Sequence, residues 1–501
     1  MSVPDEVEES IGTALWKLIK IAVPITLAQA TSIGVYTINA AFIGHSVARS
    51  GSDQGFLELA TSLTNLLYLV LFGHVAGLDT IISQGYGAKN EGRVRRGLAH
   101  FLSAMVIELV FLLGPACALV AYTIKATSHV DVSKLQLFLY LLGITGSYPL
   151  RRSMGRFLGM TDGEGKLFMC TLVTLTLTII MQGLVMWRIP PSPRRLHYLL
   201  LTEVLAGLGV VIFAIVVVLW FHRKARGYLP GRKEFAAIWT VAQWRAYFGL
   251  SFVAGLVSLL DVGSVTGLSV LAALLPDTRY IAVCSNGVAI VVLLFSVAGG
   301  LTTAATAVVG RRVGERNKKG ALRMARIAYS LAFVVSVTDG ALLMIGRHAV
   351  SRLYSDDEFV VSKVEALIPV LAVAHVMDVL QMTAQGIFRA LGRPSVGVRI
   401  QLVSMFLFGL PLGVALAWAV HMNALGLWLG QLAGYVVLAS VSVGWTLIKW
   451  GTLIEKAIAE VKEADEDEAQ RQSLVSPTAD TAGSYGAVDQ LDVPPPVNNI
   501  N

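Results

Sequence analysis

Two acidic residues lie in the middle of long apolar runs of this sequence, where an ionisable side chain is costly to bury. Asp261 falls in LVSLLDVGSVTG and Asp378 in AVAHVMDVLQMT. His375 precedes Asp378 by three residues, so a helix would place both on one face. Burial favours the protonated form of a carboxyl group, and a nearby cation favours the charged form. These residues could exchange a proton for a cationic compound, with His375 tuning the choice, or they could only link helices by hydrogen bonds.

Four other acids inside apolar runs carry a weaker signal. Asp79 lies at the end of its run, two residues after Gly77, where a capping or gating role is favoured over contact with a substrate. Glu203 lies near the end of another run, where a long side chain can reach the aqueous boundary. The sequence assigns no role to Glu108 or Asp339.

The composition of the chain excludes most classes of soluble protein. Of its 501 residues, 55% are hydrophobic and 15% are charged, and the mean hydropathy is +0.66. Soluble domains contain about 25% charged residues. The net charge of +7 does not indicate nucleic-acid binding, because long apolar runs dominate the chain. The three cysteines are far apart, and neither a Walker A string nor metal-ligand spacing occurs, so we expect no cofactor, metal, ATP or enzymatic activity.

Twelve apolar runs are candidate membrane spans, and all but the shortest, at 135–150, approach or exceed the 20 or so helical residues that cross a bilayer. We predict an all-α polytopic membrane protein with spans near 18–43, 56–79, 98–124, 135–150, 167–187, 198–221, 247–271, 280–304, 324–346, 364–388, 397–420 and 424–448. The loops after even-numbered spans, through span ten, contain 24 Lys and Arg residues, against 10 after the odd-numbered spans. The positive-inside rule therefore places the richer loops and both termini in the cytosol.

The sequence repeats itself. GLDTIISQGYGAKN at 77–90 resembles GLTTAATAVVGRRVGERN at 300–317, and Arg-x-Leu-Gly begins at Arg156 and again at Arg389. Six spans separate the members of each pair, so both halves run the same way through the membrane, as two pseudo-symmetric six-helix lobes. The predicted domains are an acidic cytosolic N-terminus at 1–11, an N-lobe at 12–225, a basic cytosolic linker at 226–245, a C-lobe at 246–450 and an acidic disordered cytosolic tail at 451–501.

Motifs in both halves resemble those of the MATE (multidrug and toxic compound extrusion) family, and of its eukaryotic branch in particular. The motifs are FIGH at 42–45 after Pro24 and Gln29, DTIISQGYG at 79–87, AATAVVGRRVG at 304–314, FRALGRPSVG at 388–397, GLPLG at 409–413 and GLWLG at 426–430. The resemblance covers about residues 15 to 448. It implies two six-helix lobes around a central cavity, alternating access, and export of organic, often cationic, compounds against an H⁺ or Na⁺ gradient.

By this resemblance, Asp261 and Asp378 occupy acidic positions of the seventh and tenth helices that are usually Glu in the family. His375 matches a family histidine three residues before the second of these acids. Many prokaryotic members have Asp where this chain has Asn39, which cannot take up a proton. We therefore expect proton or cation coupling in the C-lobe, at Asp261, Asp378 and His375.

Two further acidic positions of the family are occupied here by Thr266 and Ala289. The candidates for the cavity lining are Gln29, Tyr36, Asn39, Asn65, Tyr68, Thr266, Ser285 and Asn286. Such residues more often tie helices together than touch a ligand, although Tyr36 and Tyr68 could hold a cation over their rings. The candidates for the cytosolic motifs and gate are Asp79, Gln84, Gly87, Gly310, Gly314 and Arg389.

The predicted function is that of a secondary antiporter, which exports organic and mainly cationic drugs or metabolites in exchange for H⁺. We expect a monomer in the lipid bilayer of the plasma membrane or of a vacuole or other endomembrane, with a small-molecule substrate and no nucleic-acid partner. Na⁺ coupling and a flippase for lipid-linked substrates are the alternatives within transporters, although acids rather than arginines lie in the middle of the spans. An intramembrane enzyme or scaffold is a further alternative, which no catalytic constellation supports.

Overall fold

The structure is a computed structural model, which describes residues 10–46, 73–127, 133–189, 193–221, 226–355 and 357–475. Within these ranges all regular elements are helices, and a helix lies at each of the twelve predicted spans. Nine helices in the described ranges are long and apolar enough to cross a membrane. The all-α prediction is confirmed.

The first six spans form the N-lobe. Their bounds are Ile11–Ser46 for span 1, 73–87 for the described part of span 2, Glu91–Glu108 with Leu109–Leu113 and Gly114–Thr127 for span 3, Lys134–Met160 for span 4, Glu164–Arg188 for span 5, and Pro193–Val216 with Val217–Phe221 for span 6.

The last six spans form the C-lobe. Their bounds are Val241–Ala272 for span 7, Arg279–Gly314 for span 8, Lys318–Ile345 for span 9, Glu358–Ala390 for span 10, Pro394–Gln401 with Leu402–Gly409 and Leu410–Trp418 for span 11, and Asn423–Ile448 for span 12. Short helices lie at Arg232–Ala237 and Arg347–Tyr354, and the C-terminal helix is Trp450–Val475.

The sequence repeat corresponds to a repeated turn. The side chain of Asn90 caps span 3 by accepting from the Arg93 N–H, and that of Asn317 caps span 9 by accepting from the Gly320 N–H. The residue before each cap has a left-handed backbone, with φ of 55° at Lys89 and 59° at Arg316. The last residues of the two motifs are therefore helix caps that reverse the chain in the same way in both lobes.

Two proline residues explain wide π-helical turns in spans 3 and 11. Proline has no N–H, so the carbonyl four residues before it loses its helical partner. Before Pro411 the backbone hydrogen bonds of the helix span five residues instead of four, and the Leu410 N–H donates to the Met405 carbonyl. The same widening precedes Pro115, where the Gly114 N–H donates to the Leu109 carbonyl.

The buried apolar residues show how the lobes meet. One cluster contains residues of both lobes, such as Phe157 and Phe388, and lies where the basic loops after spans 2, 4, 8 and 10 come together. We call this the basic end of the molecule. Toward the other end, the described residues form separate clusters, one around Leu268 and Trp428 in the C-lobe and one around Leu141 in the N-lobe. Among the described residues, the core that the two lobes share therefore lies at the basic end.

The prediction of a disordered tail at 451–501 is wrong for its first half, because the C-terminal helix extends to Val475. Its acidic composition suggested disorder, but apolar residues recur at a spacing of three to four and form a stripe along one face. That stripe is buried against both lobes and consists of Trp450, Ile454, Ala457 and Val461. Residues 476–501 lie outside the described residues.

The linker prediction at 226–245 also differs from the structure. A short helix occupies Arg232–Ala237, and span 7 begins at Val241, after Thr240 caps it by accepting from the Gln243 N–H. The cap sets the start of the helix six residues before the predicted apolar run, and Gln243 and Arg245 lie in the turns that precede this run.

Candidate functional site

The structure brings the two predicted acids together between spans 7 and 10. Asp378 is buried, and the Gln381 side chain one turn later donates a hydrogen bond of 2.9 Å to its Oδ1. Asp261 is half-buried, and its Oδ1 lies 3.3 Å from the amide Nε2 of Gln401 in span 11. The two carboxyl groups interact electrostatically with each other and with Tyr435 of span 12. The neutral side-chain amides of Gln381 and Gln401 thus donate hydrogen bonds to this acid pair.

His375 links the acid pair to a third acid. Its Nε2 lies 3.5 Å from Oδ2 of Asp339 in span 9, and its charge acts on Asp378 in the same helix. The His375 side chain is buried, whereas that of Asp339 is 22% exposed. The sequence assigned no role to Asp339, because spacing along one helix does not show which residue of another helix lies opposite.

The predicted cavity residues are not brought to a single surface among the residues that the structure describes. Gln29 is buried between spans 1 and 8, since a Cβ added at Gly299 would lie 2.1 Å from its Oε1. Thr266 is exposed and donates to the Val262 carbonyl of its own helix at 2.7 Å.

The other cavity candidates fall into two groups. Ser285 is exposed, with its Oγ 3.5 Å from that of Ser269, and Asn286 is half-buried. The side chains of Tyr36, Asn39 and Glu203, together with Asn65 and Tyr68 as a whole, lie outside the described residues.

A buried ionic centre joins the lobes. Asp79 of span 2 is fully buried, and its Oδ2 lies 3.2 Å from Arg156 Nη1 of span 4 and 3.9 Å from Arg389 Nε of span 10. The two arginines are the repeated residues of the Arg-x-Leu-Gly motifs. Arg156 also donates to the Thr303 hydroxyl of span 8, so each lobe contributes polar groups to the centre. From the sequence, Arg156 was identified only as part of the repeat.

Hydrogen bonds extend this contact between the lobes toward the basic end. The Thr80 hydroxyl donates to the Arg389 carbonyl at 2.7 Å, and the Gln84 amide donates to the Ala390 carbonyl at 2.8 Å. Arg93 in turn donates to the Gln84 side-chain oxygen at 2.8 Å. Span 2 is thereby fixed to the end of span 10.

Small residues bring the backbones of spans 2 and 8 into direct contact. A Cβ at Gly87 would lie 2.1 Å from the Arg311 carbonyl oxygen, and one at Gly314 would lie 2.1 Å from the Gln84 carbonyl oxygen. A Cβ at Gly310 would lie 2.2 Å from the Ser83 hydroxyl oxygen. The predicted motif residues therefore lie together, and they seal the contact between these spans at the basic end.

The loop after span 4 adds a charged contact to this seal. The Tyr86 hydroxyl donates to Asp162 Oδ2 at 2.7 Å, and Arg311 pairs with Oδ1 of the same carboxylate. Arg311 also donates to the Met160 carbonyl at 2.8 Å. Partial burial acts to raise the pKa of Asp162, but the Arg311 charge and the two hydrogen bonds outweigh it and hold that pKa below the ordinary 3.8.

The C-terminal helix lies across both lobes at the basic end. Asp465 accepts from Asn90 of the N-lobe at 2.6 Å and pairs with Arg316 of the C-lobe at 2.8 Å. Two further acids on the same helix pair with C-lobe cations, Glu455 with Lys318 and Glu460 with Arg393.

Known proteins of similar sequence agree with this architecture. The MatE family model matches residues 254–415. Protein DETOXIFICATION 15 of Arabidopsis thaliana is 25% identical over 443 residues, which cover 86% of this chain and 87% of that protein. Multidrug and toxin extrusion protein 2 of Homo sapiens is 24% identical over 505 aligned positions, which cover 90% of this chain and 80% of that protein.

Solved structures show the same fold. The crystal structure of the eukaryotic MATE transporter AtDTX14 superposes with a TM-score of 0.77 at 20% identity, over 89% of this chain and 99% of that one. An outward-facing multidrug resistance MATE transporter superposes with a TM-score of 0.75 at 16% identity, over 88% of this chain and 96% of that one.

The fold is that of the solved MATE transporters, which are multi-pass membrane proteins with twelve helices in two lobes. The relatives are transporters and not enzymes. In sequence and in structure the chain is thus similar to the MATE family of multidrug and toxin extrusion transporters.

Proposed function

We propose that this transporter is a proton-coupled antiporter that exports organic, chiefly cationic, compounds by alternating access. The observation that carries the proposal is the acid pair Asp261 and Asp378, which lies within the spans and receives hydrogen bonds from the neutral amides of Gln401 and Gln381. A cation or a proton is the natural counterpart of such a pair.

The acid pair can couple two fluxes because its two ligands exclude each other. Two carboxylates that share a site of low dielectric constant cannot both carry a charge without a large cost. A proton on one of them lowers this cost, and so does an organic cation between them. Because either ligand neutralises the pair, binding of one weakens binding of the other, and the site exchanges them. The difference in the affinity of each ligand for the two conformations of the transporter drives the conformational change.

Alternating access needs a seal that can open, and the contact at the basic end has the required position. We place the basic end in the cytosol by the positive-inside rule. In the state described here the lobes are joined at that end through Asp79, Arg156 and Arg389. The acid pair would then receive protons from the opposite side, and cytosolic substrate would enter after the seal opens.

The proposal is tested by uptake of a fluorescent organic cation into proteoliposomes. An acidic interior should drive uptake, because protons leaving the vesicle are exchanged for the cation. We expect Asp261→Asn and Asp378→Asn each to reduce the proton-driven rate by at least about tenfold, the effect of losing about 1.4 kcal/mol of coupling free energy. Asp277→Asn is the matched control, because this acid lies in the loop between spans 7 and 8 and pairs with Arg279.

Three results would contradict the assignment. Wild-type transport rates with unchanged pH dependence in both Asn variants would show that Asp261 and Asp378 do not couple transport to protons. Uptake driven by a Na⁺ gradient and not by a pH gradient would show that the coupling ion is Na⁺ and not H⁺. Transport of a lipid-linked anion, with no cation flux under either gradient, would support the flippase alternative.

A further inference from the structure

The linker between the lobes, residues 226–245, carries positive charge that takes no part in the acid pair or in the seal. It contains four basic residues and a single acid. The four basic side chains are exposed, and none pairs with an acid among the described residues: Arg226, Arg232, Lys233 and Arg245. The acid, Glu234, is already engaged, because it accepts from the Gly231 N–H at 2.8 Å and lies 3.7 Å from Arg95 of span 3. The linker therefore presents an uncompensated positive surface.

Contacts with the N-lobe hold the linker in place. The Arg95 side chain donates to the Gly227 carbonyl, and the ring of Tyr228 lies 5.4 Å from that of Tyr86. Ile238 is fully buried. Because one side of the linker is packed in this way, the cations on its other side form a surface with a defined shape.

A row of aromatic rings leads from the linker onto the outer face of span 7. The ring of Trp239 lies 5.6 Å from that of Trp244, which stacks on Phe248 at 5.3 Å. Phe252 follows Phe248 by one helical turn and is 70% exposed. Exposed aromatic side chains inside a membrane span face lipid, so the row places Trp239 on the lipid side of the linker. Trp239 itself is 62% exposed.

Arg245 lies on the same outer face, at the level of the lipid headgroups. It follows Val241 by four residues and precedes Phe248 and Phe252 by three and seven, so the four share one stripe of the helix. The predicted apolar run of span 7 begins two residues after Arg245, or about 3 Å further along the helix. The headgroup layer is about 5–8 Å thick on each side of the bilayer. The Arg245 guanidinium is thus directly above the chains that contact Phe252.

An anionic lipid matches both features of this surface. Its phosphate would neutralise the exposed cations, and basic residues next to a membrane bind anionic headgroups in this way. Its acyl chains would cover the aromatic row, and Trp residues favour the boundary between headgroups and chains. A soluble anion would satisfy the cations alone and leave Trp239 and Val241, which is 87% exposed, uncovered.

We propose that the linker binds the headgroup of an anionic phospholipid in the leaflet at the basic end, through Arg232, Lys233 and Arg245, with Trp239 in the headgroup layer. The positive-inside rule predicts that this is the cytosolic leaflet, which is rich in anionic lipids. The linker is packed on the N-lobe and continues into span 7 of the C-lobe. Bound lipid therefore fixes the junction of the two lobes to the membrane surface.

The test measures quenching of tryptophan fluorescence by brominated lipids in the full-length protein. The protein is titrated in detergent micelles with brominated phosphatidylglycerol, which is anionic, or with brominated phosphatidylcholine, which is not. The quenching that disappears in Trp239→Phe is the part that reports on the linker. We expect this part to saturate at a lower mole fraction of phosphatidylglycerol than of phosphatidylcholine, and the difference to shrink at high salt.

Removing the cations should remove this preference. Each basic residue near an anionic membrane surface contributes about fivefold to binding, so the triple variant Arg232→Gln, Lys233→Gln, Arg245→Gln should weaken the phosphatidylglycerol response at least tenfold. Its response to phosphatidylcholine should not change. The double variant Arg232→Lys, Arg245→Lys retains the charge and should keep the preference. An unchanged melting temperature in lipid-free detergent shows that the exposed substitutions leave the fold intact.

The matched control removes three other exposed cations from the same end, through Lys89→Gln, Lys319→Gln and Arg326→Gln. It should leave the quenching of Trp239 unchanged. An equal loss in this control would show general attraction by the basic end and no site on the linker. Equal quenching of Trp239 by the two lipids, or displacement of the lipid by an equal concentration of soluble glycerol phosphate, would also overturn the proposal. Transport is not measured, so the outcome is independent of whether Asp261 and Asp378 couple to protons.

Discussion

Asp79 of the N-lobe and Arg389 of the C-lobe meet in the interior of the molecule, with 3.9 Å between the carboxylate Oδ2 and the guanidinium Nε. Arg156, the counterpart of Arg389 in the N-lobe, approaches the same oxygen to 3.2 Å. The pseudo-symmetry is broken at the acid itself, because the position that matches Asp79 in the second half is Thr302. One carboxylate therefore serves two equivalent arginines, and both lobes depend on it when the basic end is closed.

Replacing Asp79 should weaken the closed state strongly. Asp79→Asn leaves two buried guanidinium groups without their acid, and removal of one partner from a buried pair costs about 3–5 kcal/mol. The distance between spin labels on Gly165→Cys and Lys319→Cys, two exposed positions in opposite lobes at the basic end, should increase. The melting temperature should fall. Asp79→Glu, which restores the charge, should recover part of the loss. Closure unchanged in Asp79→Asn would show that the ionic centre does not hold the lobes.

A methyl group at the contact of spans 2 and 8 should also prevent closure. The added carbon in Gly314→Ala would lie 2.1 Å from the Gln84 carbonyl oxygen, so the backbones must move apart. Overpacking of this kind costs about 1–3 kcal/mol. Gly183→Ala in span 5 is the matched control, because an added Cβ there meets no atom within 4 Å. Equal label distances in the two variants would refute the predicted contact.

Removal of the C-terminal helix should destabilise the closed basic end. Truncation after Lys449 removes both the buried apolar stripe and the ion pairs, whereas truncation after Val475 leaves them intact and is the control. Asp465→Lys should have a smaller effect that fades at high salt, because exposed ion pairs contribute about 0.2–1 kcal/mol and are screened. Label distances at low and high ionic strength measure both effects. Identical distances in the two truncated proteins would rule out this role.

The contact between Asp162 and Arg311 should be insensitive to pH in the physiological range. The pKa of Asp162 is depressed, so its stabilising effect is complete above the ordinary value of 3.8 and is lost only as the pH falls through the lower value of the folded state. The difference in melting temperature between wild type and Asp162→Asn should therefore stay constant from about pH 8 to 5 and shrink below about pH 4. A difference that shrinks between pH 7 and 5 would contradict the lowered pKa.

The sequence predicted the spans and the acid pair because both produce strong local signals. A run of about 20 apolar residues is determined by bilayer thickness, and Asp261 and Asp378 stand out because charged residues are rare inside such runs. The repeat predicted that Asp79, Gly87 and Gly314 lie on matching segments. It did not show that these segments touch.

Other features depend on contacts between distant residues and have no local signal. His74 resembles any histidine near a helix end until Glu108 and Tyr247 are found beside it. The acidic residues of the C-terminal helix resembled a solvated tail, because in three of the four polar contacts their partners, Asn90, Arg316 and Lys318, lie more than a hundred residues earlier. Only the apolar stripe beneath them, beginning at Trp450, was readable in the sequence.

The position of the C-terminal helix has a consequence for the assembly of the protein during synthesis. Residues 450–475 leave the ribosome after both lobes have been made, yet their apolar face packs on residues from both lobes. The lobes can therefore be inserted into the membrane and find each other before this helix docks. A chain that stopped at the end of span 12 would contain the twelve predicted spans and still lack the helix that packs on both lobes.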